Sequence, residues 1–137
     1  MNRRHATLLL LPVAFLMRDA VAATDPNARV SVDTRVQLQA AMQSHIERST
    51  VAGVFPFVDL RTGQVRKLHP GSAHPMMLRF GEHFVLCTDF RDEAGRAVNI
   101  DFYVARNDRR FQVFQVEVAN RAPLEALVKS GAARMLE

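Results

Sequence analysis

With one cysteine, Cys87, in 137 residues, this chain has no intramolecular disulfide to form, so its fold must stand on packing. Internal repeats, low-complexity tracts and linkers are missing too, which excludes solenoid and fibrous architectures. The sequence contains no G-x-S-x-G, no zinc-protease helix, no phosphate-binding glycine loop and no paired C-x-x-C. The stronger catalytic signatures are therefore absent, and no cofactor is indicated. Charge of one sign is scarce as well. The formal charge of +4 drops to +2 once residues 1–23, which hold three arginines and one aspartate, are set aside. A dispersed charge of that size builds no stripe that tracks phosphates, so nucleic acid is not an expected partner.

What is present begins with an export signal. Met1 to His5 is basic, Leu8 to Met17 is apolar but too short to span a bilayer, and Ala20 to Ala23 is a run of small residues. The pattern predicts a cleavable signal peptide over 1–23, with cleavage after Ala22 or Ala23 and a periplasmic or secreted product. Arg3-Arg4 fits an ordinary basic start better than a twin-arginine signal. No cysteine follows closely enough for a lipid anchor, and no later run is long and apolar enough for a membrane helix. Residues 24–32, with Pro26, read as a flexible leader, and 33–137 as one α+β domain.

The stretch from Phe84 to Val118 organises that domain as three antiparallel strands. Asp92-Glu93-Ala94-Gly95-Arg96 suits a three-residue hairpin loop with Gly95 in the left-handed position. Its closure sets Phe90 against Val98, Thr88 against Ile100, Leu86 against Phe102 and Phe84 against Val104. The second turn, near Asp108 to Arg110, has no glycine. Keeping one face apolar there pairs Val104 with Phe114, Phe102 with Val116 and Ile100 with Val118. The even-numbered residues then form a core face, since alternate side chains point to opposite sides. The odd face carries His83, Val85, Cys87, Asp89, Arg91, Asn99, Asp101, Tyr103, Ala105, Val113, Gln115 and Glu117.

Around this meander, Asp33 is expected to cap a helix whose stripe is Leu38, Ala41, Met42, His45 and Ile46. A hairpin about Thr62-Gly63 should pair Asp59 with Arg66 and Phe57 with Leu68, Pro56 marking an edge. A strand over Met76 to Phe80 leads through Gly81 into the meander. After Val118, Asn120 is expected to cap a short helix bearing Leu124, Leu127 and Val128 and stopped by Gly131. One long helix followed by successive hairpins resembles the cystatin-like and NTF2-like α+β folds. The resemblance lies in element order alone and brings no functional residue with it.

Three chemistries are open to these residues. Ligand or partner binding on the odd face would use Cys87, Asp89, Asn99, Asp101, Tyr103, Gln115 and Glu117. Within that set, Asp101 and Glu117 are directly opposed and call for water, an arginine or a cation between them, with Arg91 in position to act through Asp89. Cys87 has His83 on its face at roughly 13 Å, too far for a dyad, and reads as a half-buried small residue. A metal site, in the alternative, would use His69, His74 and Met76, imidazole and thioether donors of the kind copper accepts. An enzyme built on Asp101 and Glu117 is the third reading. The apolar residues Val85, Tyr103, Ala105 and Val113 mark a patch covered either by the C-terminal segment or by a second copy in a homodimer.

Overall fold

The computed structural model describes residues 29–71 and 75–136. The signal peptide, most of the leader and His74 lie outside the described residues. The remainder is an α+β arrangement with two helices and a mostly antiparallel sheet. Helix α1 spans Val32–Ser49 and buries Leu38, Met42 and Ile46, one residue per turn along a single stripe. Each such side chain contributes about 1.5–3 kcal/mol of transfer free energy, an upper bound for a compact unfolded chain. The N-cap is Ser31 and not Asp33: its hydroxyl accepts from the Thr34 backbone N–H, which leaves Asp33 in the first turn, where its charge complements the helix dipole.

Strands β1 (Phe55–Asp59) and β2 (Gln64–Leu68) form the first hairpin, but with Phe57 opposite Arg66 and Asp59 opposite Gln64. The sequence placed that register two residues away. Asp59 explains the difference, because its carbonyl accepts from both Thr62 and Gly63 and its carboxylate accepts from the Arg61 N–H. Those bonds close a four-residue loop before Thr62-Gly63 can act as a two-residue turn.

Strands β3 (Met76–Phe80), β4 (His83–Arg91), β5 (Ala97–Asn107), β6 (Arg110–Val118) and β7 (Ala133–Met135) make a five-stranded sheet in the order β6-β5-β4-β3-β7. The β4/β5 register is the one set by Gly95, from Phe84 against Val104 to Phe90 against Val98. Gly95 has a φ of 76°, and Asp92 accepts from the Ala94 and Arg96 backbone N–H groups across the loop. The β5/β6 register also holds from Ile100–Val118 to Tyr103–Gln115, and then a bulge intervenes. Val104 faces Val113, not Phe114. Val113 is therefore in the core instead of on the odd face, and Phe114, the extra residue, is more than half exposed beside His83 and Tyr103.

Two cores result. The even face, with Leu86, Phe90, Ile100, Phe102 and Val104, packs against α1 and against Phe55 and Leu68 of the first hairpin. The odd face is covered by the C-terminal segment: Leu124 of helix α2 (Ala122–Lys129) and Ala133 of β7 pack with Val85, Cys87 and Tyr103. Helix α2 has no side-chain cap; Asn120, expected to supply one, donates instead to Glu117. No helix among the described residues is long and apolar enough to cross a membrane.

Candidate functional site

Alternation along β4 and β5 puts Cys87, Asp89, Asn99 and Asp101 on the odd face, in two adjacent rows. Asp101 is opposite Cys87 on one side and Glu117 on the other, as the register requires. It is fully buried. A carboxylate so placed needs a counter-charge. That charge is Arg121, whose Nη2 donates to Asp101 Oδ1 at 2.9 Å. The expected reliever, Arg91, is exposed at the end of β4 and donates to the Gly95 carbonyl. Arg121 stands at the N-cap position of α2, so the ion pair also ties that helix to the middle of the sheet.

The electrostatics follow from this pair. Burial pulls the Arg121 guanidinium toward losing its proton, but the hydrogen bond and charge of Asp101 outweigh it and push its pKa up. Burial first, and then the neighbouring Asp101, pushes the Cys87 thiol far above its ordinary range. Tyr103 is raised for the same reasons, burial ahead of the Asp101 and Glu117 charges. Cys87 is a protonated packing residue in this setting and not a nucleophile.

Next to the pair lies a recess of about 360 Å³. Its walls are Cys87, Thr88, Asp89 and Arg91 of β4, Asn99 of β5 and Arg121, with Gly71 and Met76 at the rim. Gly71 is there by necessity, since a Cβ on it would run into the Asp89 carbonyl. Asn99 Nδ2 reaches Asp89 Oδ1 at 3.4 Å and the Thr88 carbonyl at 3.5 Å, both long. Among the described residues, three buried polar atoms have no hydrogen-bond partner: Asn99 Oδ1, Asp101 Oδ2 and Arg121 Nε. Asn99 and Arg121 also line the recess, whereas Asp101 lies outside its lining.

The other residues singled out in the sequence, apart from Met76 at its rim, do not line this recess. Gln115 donates to Glu117 Oε1 and Asn120 to Glu117 Oε2, an exposed network on the far side of β5. Glu117 is thus hydrogen-bonded to Gln115 and Asn120 while Asp101, opposite it on β5, is bonded to Arg121. Tyr103 packs under α2. His69 is exposed and pairs through its backbone with Arg91, Met76 is exposed, and no group of metal-ligating side chains occurs among the described residues. A larger hollow of about 560 Å³ lies by the first turn of α1, between Arg79, Arg106 and Phe111, and contains none of the site residues.

Arg121 and Gly71 are the contributors that reading the sequence missed. For Arg121 a signal existed: a buried acid at Asp101 demands a base, and Arg121 follows four residues after Glu117, Asp101's neighbour across the ladder. Gly71 carried no signal, because its need arises from a tertiary approach. Comparison with protein-family models, curated proteins and solved structures finds no match for this chain.

Proposed function

We propose that this chain is an exported, non-enzymatic binding domain, periplasmic or secreted, and that the recess beside the Asp101–Arg121 pair takes a small polar ligand. The carrying observation is the recess itself, whose walls bring Asp89, Asn99, Arg91 and Arg121 together beside buried atoms of Asn99 and Arg121 that have no hydrogen-bond partner among the described residues. Such atoms are costly unless something meets them. The walls add one charge of each sign, Asp89 and Arg91, so the favoured ligand is zwitterionic, its cationic end toward Asp89 and Asn99 and its anionic end toward Arg91. A binding role also suits the chemistry, because the Cys87 thiol is held protonated and Asp101 is committed to Arg121. We read the element order as cystatin-like or NTF2-like, and the basic, apolar, small-residue start as the signal for export.

Thermal melts with free amino acids and with neutral sugars at millimolar concentration test the reading, since a ligand that binds only the folded state raises its melting temperature. The expected result is stabilisation by one or more amino acids that Asp89→Asn and Arg91→Gln each abolish. Stabilisation by sugars alone would keep the site and overturn the zwitterion; no stabilisation by either class would overturn the site.

A further inference from the structure

Summed over the chain the charge is small, but the fold gathers arginines between α1 and the turn that joins β5 to β6. Two hollows adjoin there, of about 560 and 420 Å³, and Phe111 lines both. Thr34 lines the first, and Gln37, Ala41, Ser44 and Arg48 line the second, at spacings of three and four, so both follow one face of α1. From Thr34 to Arg48 that face is about 20 Å long. The opposite wall includes Arg106 and Asp108 in the first hollow and Arg109, Arg110 and Gln112 in the second. Six arginines border the resulting trough. Arg79 donates to the Gly81 carbonyl. The other five, Arg29, Arg48, Arg106, Arg109 and Arg110, are exposed, and among the described residues none of them is in an ion pair, whereas Arg61, Arg66, Arg96 and Arg121 are each held by a carboxylate. Two acids, Glu82 and Asp108, line the first hollow, and none lines the second. Guanidinium groups spread along a channel, instead of converging on a point, suit a polyelectrolyte, because every charge contact along such a chain releases counterions.

We propose that this trough binds an acidic polysaccharide, whose sulfate or carboxylate groups meet Arg48, Arg106, Arg109 and Arg110 along its length. Three observations select that occupant among polyanions. The trough is concave and none of the exposed large apolar residues lines it, so it offers nothing to a flat bilayer. Phe111 is covered on one face by the Arg106 guanidinium, 5.3 Å from the ring centroid, and packs edge-on with Phe84, so single-stranded nucleic acid finds no base-stacking platform. Between the arginines the second hollow presents Gln37, Ser44 and Gln112, whose amides and hydroxyl match sugar hydroxyls and make no apolar pocket for the side chains of a peptide. The trough shares no residue with the recess beside Arg121, so either site can fail without the other.

Fluorescence anisotropy with an end-labelled, size-fractionated heparin oligosaccharide tests the proposal over a series of salt concentrations. The expected result is binding that weakens as salt rises. It should fall about tenfold in Arg109→Gln with Arg110→Gln, and less than about twofold in Lys67→Gln with Lys129→Gln, which removes the same charge from exposed positions outside the trough. Arg48→Gln, on the helix wall and away from the turn, should weaken binding by itself, which keeps the test decisive if the turn variant fails to fold. No binding at low salt, or equal losses in the two double variants, would overturn the proposal. Unlabelled poly-glutamate or a single-stranded oligonucleotide of equal charge displacing the probe as well as unlabelled heparin does would overturn it too.

Discussion

Single residues carry two lessons. Cys87 looked like a reactive-thiol candidate only by its uniqueness; in place it is almost wholly buried, and burial together with Asp101 keeps its proton on. Ellman's reagent at pH 8 should leave the native protein unmodified and react fully once denaturant is added; rapid native labelling would contradict the burial argument. Asp92 is the opposite case. Its pKa is lowered first by the Arg96 backbone N–H and then by the Arg96 side chain, against the opposing effect of burial. Because the folded-state pKa is below the unfolded one, the unfolded chain binds more protons in that window, so the stabilisation is complete above the ordinary aspartate range and disappears as pH falls through the folded value. Asp92→Asn should therefore melt lower than the parent at pH 7 and close much of that gap once the pH has fallen through the lowered folded value. A gap that stays constant with pH would assign the effect to the side chain's shape and not to its charge.

Among elements, the contrast between the two hairpin turns explains what could be read in advance. Gly95 and Asp92 fix a loop by local chemistry, and every β4/β5 pairing follows from it. The second turn is made by Asp108 at a φ of 51°, a conformation aspartate tolerates without announcing it, and two residues suffice to connect Asn107 to Arg110. The mismatch between that tight turn and the apolar register further along β6 is absorbed by the bulge at Phe114, which no period-two pattern can reveal. Likewise the odd face was legible as a mixture of acids and apolar residues, but not its reason, since Arg121 arrives from outside the sheet. That arginine makes a prediction about α2. Arg121→Gln leaves Asp101 as an unpaired buried charge and should cost about 3–5 kcal/mol in denaturant titration. Exchanging both partners for apolar residues, Asp101→Leu with Arg121→Met, should recover most of the loss. If the double variant is as unstable as the single, the pair is not an isolated charge clamp, and coupling to Asn99 or Cys87 must be included.

At the scale of the whole fold, the five-stranded sheet has a core on each side, closed by different parts of the chain. On the even side, α1 and the first hairpin bury Phe90, Ile100 and Phe102 through contacts far apart in sequence. On the odd side, among the described residues, α2 holds Leu124 over Val85, Cys87 and Tyr103, and Ala133 of the three-residue edge strand β7 joins that core. The choice between self-cover and a second copy was left open by the sequence because an apolar patch does not say what lies on it. The structure makes the first available. Removing residues 120–137 takes away both the cover and Arg121, so it exposes Val85, Tyr103 and Leu78 and leaves Asp101 without its partner. The smaller core cannot survive that loss, whereas the larger one retains every residue it uses up to Val118, apart from Leu136 at its margin. The truncated chain should accordingly keep much of its far-ultraviolet circular dichroism while binding a hydrophobic dye and self-associating in light scattering, as a sheet face newly open to solvent would. A truncated protein that stays monomeric, binds no dye and melts cooperatively would mean that the odd face is closed by something other than the C-terminal segment.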